Sequence, residues 1–411
     1  MVTSSSINGT NVGYIKTIPE RFALSLLRPF RVIFSKKAQV SGLDNLRNED
    51  GNPLPGPFIW SVKHESRWDV STLAHLWYKL PQSPCKMKAA VRFDPFKEHP
   101  NWQFLDGPLM WVFQKLAISL HRTDKLNGLS PGEKDRLQNM NRKALENLVK
   151  DFTLGVHGAF APEGTSKSNG DLTQNQIKAG VYYLTRSAFE NGLSVPCAPV
   201  GVTYDFMSGP KGIWGKRQGW GQPRQIVCAR FGAPIKYEPL DKEGYSSIES
   251  WRKNDKEAFL ARIKYAFIDL NTITLSQIAG EYIRRRAEKM PAVNAVGGPS
   301  ISLELLAKVA TDAVYNLRGI EKVRFENGLV DSSFEARVRQ FYASLQKEEY
   351  VGRAKSGEVE INQRRVLHEP ETDATYKHEN ILLYSTNRIR SIASVSPEIG
   401  EALNRTFREV A

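Results

Sequence analysis

Phe58-Ile59-Trp60-Ser61-Val62-Lys63-His64-Glu65-Ser66-Arg67-Trp68-Asp69 changes character at its middle. The first five residues form an apolar run rich in aromatic and β-branched side chains, the composition of a strand. Ser66 and Asp69 are then spaced as a helix N-cap and its N3 residue, a pair that satisfies backbone donors left free in the first turn. Leu73, Leu76, Trp77 and Leu80 recur at helical spacing, and Pro81 closes the run. The pattern predicts a strand over 58–62, a helix over 67–80, His64 in the turn between them and Asp69 in the first helical turn. On one ideal helix, residues five apart do not share a face. A His placed ahead of the helix can meet the Asp carboxylate reaching back. A carboxylate that fixes a tautomer and stabilises the imidazolium makes that His a general base.

Spacing alone does not select His64. His368-Glu369-Pro370-Glu371-Thr372-Asp373 repeats the interval, but it follows no apolar strand and Pro370 interrupts it, so it reads as a loop coincidence. What sets His64 apart is its company. Leu116-Ala117-Ile118-Ser119-Leu120-His121-Arg122 is a short strand ending in a cation. The apolar stretch 153–160 runs into Ala161-Pro162-Glu163-Gly164-Thr165-Ser166-Lys167. Val195-Pro196-Cys197-Ala198-Pro199-Val200 is a strand carrying prolines.

In this order the four blocks resemble the glycerophospholipid acyltransferase superfamily, which includes lysophosphatidic acid and glycerol-3-phosphate acyltransferases. The family's first motif, His-x4-Asp with a Ser two after the His, is matched by His64, Ser66 and Asp69. The second ends in an Arg, matched by Arg122. The third, Phe-Pro-Glu-Gly-Thr-Arg-Ser, is matched by Phe160, Pro162, Glu163, Gly164 and Thr165, and the fourth by Pro199. Phe231-Gly232-Ala233-Pro234-Ile235 is similar to the segment that often closes the catalytic domain. Three positions depart from the pattern. Lys63 stands where Asn is common, Ala161 is inserted before Pro162, and Ser166 replaces the usual Arg, with Lys167 beside it. The last departure bears on the acceptor, because the resemblance gives that Arg to the acceptor phosphate.

With 411 residues, 41% of them hydrophobic, the chain can bury a sizeable core in two or three domains. A net charge of +13 points to acidic partners: an anionic membrane surface, a phosphorylated substrate, acyl carrier protein or nucleic acid. Cys85, Cys197 and Cys228 are scattered and form no disulfide framework, as in a reducing compartment; two of them fall in apparent strands as buried thiols. No stretch reaches the ~20 apolar residues of a membrane-spanning helix. The nearest, 104–120, contains Asp106, Gly107, Pro108, Gln114 and Lys115. The opening residues carry no hydrophobic signal core. There is no P-loop, dinucleotide fingerprint or metal-ligand cluster, so neither a metal nor a bound cofactor is expected.

Three regions follow. Residues 1–39 join a disordered start to a basic amphipathic segment, 21–37, whose Phe22, Leu26, Phe30 and Phe34 alternate with Arg21, Arg28, Arg31, Lys36 and Lys37. It suits either a lipid interface or packing on the next region. Residues 40–245 alternate strands (58–62, 86–91, 118–120, 153–160, 196–204, 225–231) with helices (67–80, 109–116, 133–150, 176–191), which predicts an α/β domain with a mixed sheet flanked by helices. A loop over 209–225 mixes Trp214 and Trp220 with Lys and Arg, and reads as a headgroup contact, a base-stacking surface or a plain surface loop. Residues 246–411 are mostly helical, with helices over 255–269, 275–290, 302–317 and 332–346, a linker over 291–300 and a charged face at Arg284-Arg285-Arg286.

The resemblance implies an O-acyltransferase of phospholipid synthesis. It would move a fatty acyl group from an acyl carrier protein or coenzyme A thioester, a co-substrate, to a glycerolipid hydroxyl. His64 and Asp69 would be catalytic; Arg122, Glu163, Gly164, Thr165 and Lys167 would bind the acceptor. 1-Acyl-glycerol-3-phosphate is the first acceptor and glycerol-3-phosphate the alternative. The protein would lie peripherally on the cytoplasmic, or equivalent reducing, side of a membrane, with no nucleic acid partner. A basic, non-catalytic membrane- or nucleic-acid-binding protein is the reading from another class, and a thioester hydrolase using the same His is a third.

Overall fold

The computed structural model describes residues 38–63, 76, 80–81, 86–92, 117–120, 130–163, 169–174, 176–205, 207, 226–289, 299–352, 357–372 and 376–409. The amphipathic segment 21–37, the loop 209–225, the helices expected over 67–80 (except Leu76, Leu80) and 109–116, most of the linker 291–300, and Cys85 lie outside the described residues.

Seven strands make one mixed sheet: β1 (Gln39–Ser41), β2 (Ile59–Val62), β3 (Met87–Arg92), β4 (Ala117–Leu120), β5 (His157–Phe160), β6 (Cys197–Asp205) and β7 (Ile226–Phe231). Their order is β1-β7-β6-β2-β5-β3-β4. Strands β2 to β6 run parallel, β7 is antiparallel to β6, and β1 is parallel to β7. The central register pairs Ser61 with both Phe160 and Pro199. All nine residues of β6 are buried, as expected of a strand covered on both faces.

Side chains alternate between those faces. Ile59, Phe160 and Cys197 point into a cluster under α1 (Pro131–Phe152), α2 (Gly180–Glu190) and α3 (Ile248–Asp269). Phe58, Trp60, Val62, Ala198, Val200 and Val202 point into the other cluster. That second face is covered by α4 (Leu275–Lys289), α5 (Leu303–Leu317), α6 (Phe334–Lys347), the short α7 (Gln363–Leu367) and α8 (Tyr376–Glu379), and by α9 (Ile381–Val395) and α10 (Pro397–Glu409). One apolar cluster thus holds residues from both sides of 245. Each large side chain buried there contributes about 1.5–3 kcal/mol. A two-stranded antiparallel sheet, β8 (Ser300–Ser302) with β9 (Glu358–Glu360), lies among these helices.

Local chemistry accounts for the differences from expectation. A capping box between Ser130 and Glu133, followed by Pro131, starts α1. Gly155, at φ 71°, stops the chain beyond its end, so 153–155 form a turn and β5 begins only at His157. Helix α3 starts earlier than expected because Ser247 accepts from Ser250 N–H at 3.1 Å. Asp255, expected to open it, is instead buried within it and accepts from Tyr182 Oη, Tyr237 Oη and Leu240 N–H at 2.7, 2.6 and 2.9 Å. The Arg run on α4 is not a plain solvated face: buried Glu281 accepts from Arg285 and from Arg390 of α9 at 2.6 Å each, and Arg284 meets Glu288 at 2.7 Å.

Candidate functional site

Parallel strands leave their carboxyl ends on one edge, and an α/β fold binds its ligands outside that edge. Strand β2 ends at Val62, two residues before His64. Strand β4 ends at Leu120, two before Arg122, and β5 at Phe160, three before Glu163. These strands belong to the contiguous parallel set β2-β5-β3-β4. The three strands that precede these blocks therefore end on the same edge of the sheet.

Of the predicted site residues, Glu163 is described; His64, Asp69, Arg122, Gly164, Thr165 and Lys167 lie outside the described residues. Glu163 sits in the turn after β5 and is only 8% exposed. The turn is held by the Pro162 carbonyl, which accepts from Lys178 N–H at 2.6 Å just before α2. Across the strands, Lys63 is buried and its amide donates to the Val200 carbonyl at 3.0 Å, so β2 stays paired to β6 up to the residue before His64.

His368, the second His with an Asp five residues on, lies in the loop after α7. Its ring is about half exposed, and Nε2 stands 3.6 Å from Glu379 Oε2.

Two arrangements were not foreseen. His157 is buried at the amino end of β5, opposite the edge at which β2, β4 and β5 end. Its Nδ1 accepts from Phe58 N–H and from Trp60 Nε1–H, each at 3.1 Å, which places the ring proton on Nε2. Burial lowers its pKa from 6.5 to about 4, so the ring is neutral at physiological pH. The second arrangement lies at the carboxyl end of β6. Asp205 and Glu326 are both buried and both pair with buried Arg337 of α6; Arg337 Nε donates to Glu326 Oε1 at 2.9 Å. Glu326 also accepts from Leu275 N–H at 3.2 Å. Burial, opposed by Arg337 and reinforced by Asp205, raises its pKa to about 7.

The two strand cysteines, Cys197 and Cys228, are free and buried. Burial pushes the Cys197 thiol up to about 12, which keeps it protonated and unreactive. Among the described residues no group of His, Cys, Asp or Glu is placed to hold a metal ion, and no helix is long and apolar enough to cross a membrane. No protein-family model matches the chain, and a search of curated proteins found no match.

Proposed function

We propose that this protein is a membrane-peripheral O-acyltransferase that transfers a fatty acyl group from a thioester to a glycerolipid hydroxyl, 1-acyl-glycerol-3-phosphate first. The observation that carries the reading is the shared edge. The strands preceding His64, Arg122 and Glu163 are parallel members of one contiguous set, and the blocks that follow them are those of the acyltransferase resemblance. A base, an acceptor-binding acid and a cation that leave the same edge can serve one substrate.

In this reading His64, oriented by Asp69, takes the proton of the acceptor hydroxyl as its oxygen attacks the thioester carbonyl. Backbone N–H groups stabilise the oxyanion. Its collapse breaks the C–S bond, and the imidazolium returns the proton to the leaving thiolate, so a free thiol and an ester form with no acyl-enzyme. Glu163, Gly164 and Thr165 hold the glycerol and phosphate, and Arg122 with Lys167 supplies positive charge. The donor is acyl carrier protein or coenzyme A thioester, and the anionic membrane is the surface on which the acceptor is met.

The test is an acceptor screen with purified protein and radiolabelled acyl thioester, read by lipid mass spectrometry. A new ester on lysophosphatidic acid or glycerol-3-phosphate supports the proposal. Release of free fatty acid regardless of acceptor makes the protein a thioester hydrolase. No turnover, together with salt-dependent binding of liposomes or nucleic acid, makes it a basic binding protein.

A further inference from the structure

Asp205, Glu326 and Arg337 set one cation between two acids in the interior of the protein. Both acids are fully buried and Arg337 is 4% exposed. Arg337, on α6, donates through Nη2 to Asp205 Oδ2 and through Nε to Glu326 Oε1, the latter at 2.9 Å. The three meet where several elements converge. Asp205 ends β6, on the edge at which its parallel neighbour β2 also ends. Glu326 is bound to the start of α4: its N–H donates to the Ile273 carbonyl at 3.0 Å, and its Oε1 accepts from Leu275 N–H at 3.2 Å. Gly328, two residues on, leaves room for Arg337, since a Cβ there would stand 3.1 Å from Arg337 Cγ.

Arg337 is always charged, so ionising both acids would leave one negative charge uncompensated in the interior. That costs far more than holding a proton. The hydrogen bonds identify the acid that holds it. Asp205 accepts on both oxygens, from Arg337 on Oδ2 and from Met207 N–H on Oδ1 at 3.0 Å. Glu326 receives both of its donors on Oε1, and its Oε2 is buried without a partner. A carboxylate spreads its charge over two oxygens, so ionised Glu326 would bring charge to an atom that no donor meets. A carboxylic acid with its proton on Oε2 avoids that charge. From β7 the Cys228 thiol faces both acids; burial and their charges keep it protonated against the opposing Arg337 and Arg230. From β1, neutral Gln39 accepts from Cys228 Sγ at 3.3 Å and from Asn327 N–H at 2.8 Å.

We propose that Asp205, Glu326 and Arg337 form a proton-operated latch at the carboxyl end of β6: one proton on Glu326 keeps α6 closed on the sheet, and its release loosens α6. The latch stands independently of the acyl-transfer reading. When α6 opens, Glu326 reaches water and ionises as an ordinary carboxylate, so opening releases the proton. Opening therefore becomes easier as pH rises above about 4.5, and levels off once the closed form has ionised as well.

The test uses the full-length protein, wild type and the variants Glu326→Gln and Asp205→Asn. Isotope-edited infrared spectra of the wild type at pH 5 should show a buried protonated carboxyl that Glu326→Gln lacks. Amide hydrogen exchange, corrected for the intrinsic pH dependence of the rate, is then read from pH 5 to pH 8. Protection of 334–347 should fall in the wild type by about tenfold for each pH unit over which opening releases the proton, then level. Protection of α1, on the opposite face of the sheet, should not fall with rising pH. In Glu326→Gln the protection of 334–347 should not depend on pH. Asp205→Asn removes the competing negative charge, so its dependence should shift to lower pH. Where Glu326→Gln does not fold, the wild-type infrared band and the Asp205→Asn shift carry the test. The latch is overturned if the protonated carboxyl is missing, if wild-type protection of 334–347 is flat from pH 5 to pH 8, or if it falls equally in Glu326→Gln. An Asp205→Asn profile that coincides with wild type also overturns it.

Discussion

Trp60 and His157 lie nearly parallel, 16° between planes and 5.9 Å between ring centroids, and the indole N–H donates to the imidazole Nδ1 at 3.1 Å. The same nitrogen takes the Phe58 amide. One buried acceptor thus satisfies two donors, one just before β2 and one within it, at the amino end of β5.

Replacing that acceptor leaves both donors buried and unpaired. His157→Phe should destabilise the protein by about 2–4 kcal/mol, since each unsatisfied group costs about 1–3 kcal/mol. The ring also makes stability depend on pH. Its folded pKa is about 4 against 6.5 unfolded, so below 6.5 the unfolded chain binds the extra proton. Stability is then lost as pH falls from about 6.5 to about 4, by a contribution on the order of 3 kcal/mol. Urea unfolding at several pH values checks both. The wild-type protein should lose this contribution on acidification and His157→Phe should not.

Glu326 should act in the opposite direction. Its folded pKa of about 7 lies above the ordinary 4.5, so between these values the folded protein holds the extra proton. Stability therefore falls as pH rises above about 4.5 and levels once the buried carboxyl has ionised. Glu326→Gln keeps an acceptor for Arg337 Nε and Leu275 N–H but cannot ionise. Its unfolding free energy, measured beside wild type at pH 5 and pH 8, should lack this decline. Equal slopes in the two proteins would refute the assignment.

What the sequence made legible is local. The apolar run 58–62 became β2, and the α1 cap could be read because Ser130, Pro131 and Glu133 lie within one turn. Three-residue β1 carries no such signal; its partner β7 begins 185 residues after β1 ends. The roles of His157 and Asp205 depend on groups 97 and 132 residues away. A His inside an apolar strand hints at a satisfied core residue, but no periodicity points to Phe58 and Trp60. Likewise, helical spacing identified four of the eight C-terminal helices among the described residues, whereas their service as the second cover of the sheet depends on long-range packing. At the candidate site, strand ends were legible because the motif turns follow apolar runs.

Arg122 follows β4 by two residues, and the usual cation after Glu-Gly-Thr is replaced by Ser166. In the proposed acyltransferase, one cation fewer would make the acceptor phosphate depend more on Arg122. Arg122→Ala should raise the acceptor KM by roughly 30-fold or more, the equivalent of about 2 kcal/mol for a charge-assisted contact, and leave the thioester KM nearly unchanged. Steady-state kinetics with each substrate varied in turn gives the answer. Equal effects on both substrates would remove Arg122 from the acceptor site.

His64 and His368 both precede an Asp by five residues, so a rule based on spacing treats them alike. The physical setting does not. His64 stands two residues after the end of β2, a parallel strand of the sheet, while His368 is a half-exposed loop residue beside Glu379. His64→Ala should therefore lose ~10²–10⁴-fold of acyl transfer, the usual contribution of a positioned general base. His368→Ala should keep nearly full activity. Asp69→Asn should also fall steeply, because it preserves shape and loses the charge that stabilises an imidazolium. Circular dichroism and thermal melts on each variant separate loss of chemistry from loss of fold. A folded His64→Ala protein that retained more than about a tenth of wild-type activity would lie outside the general-base range and end the proposed mechanism.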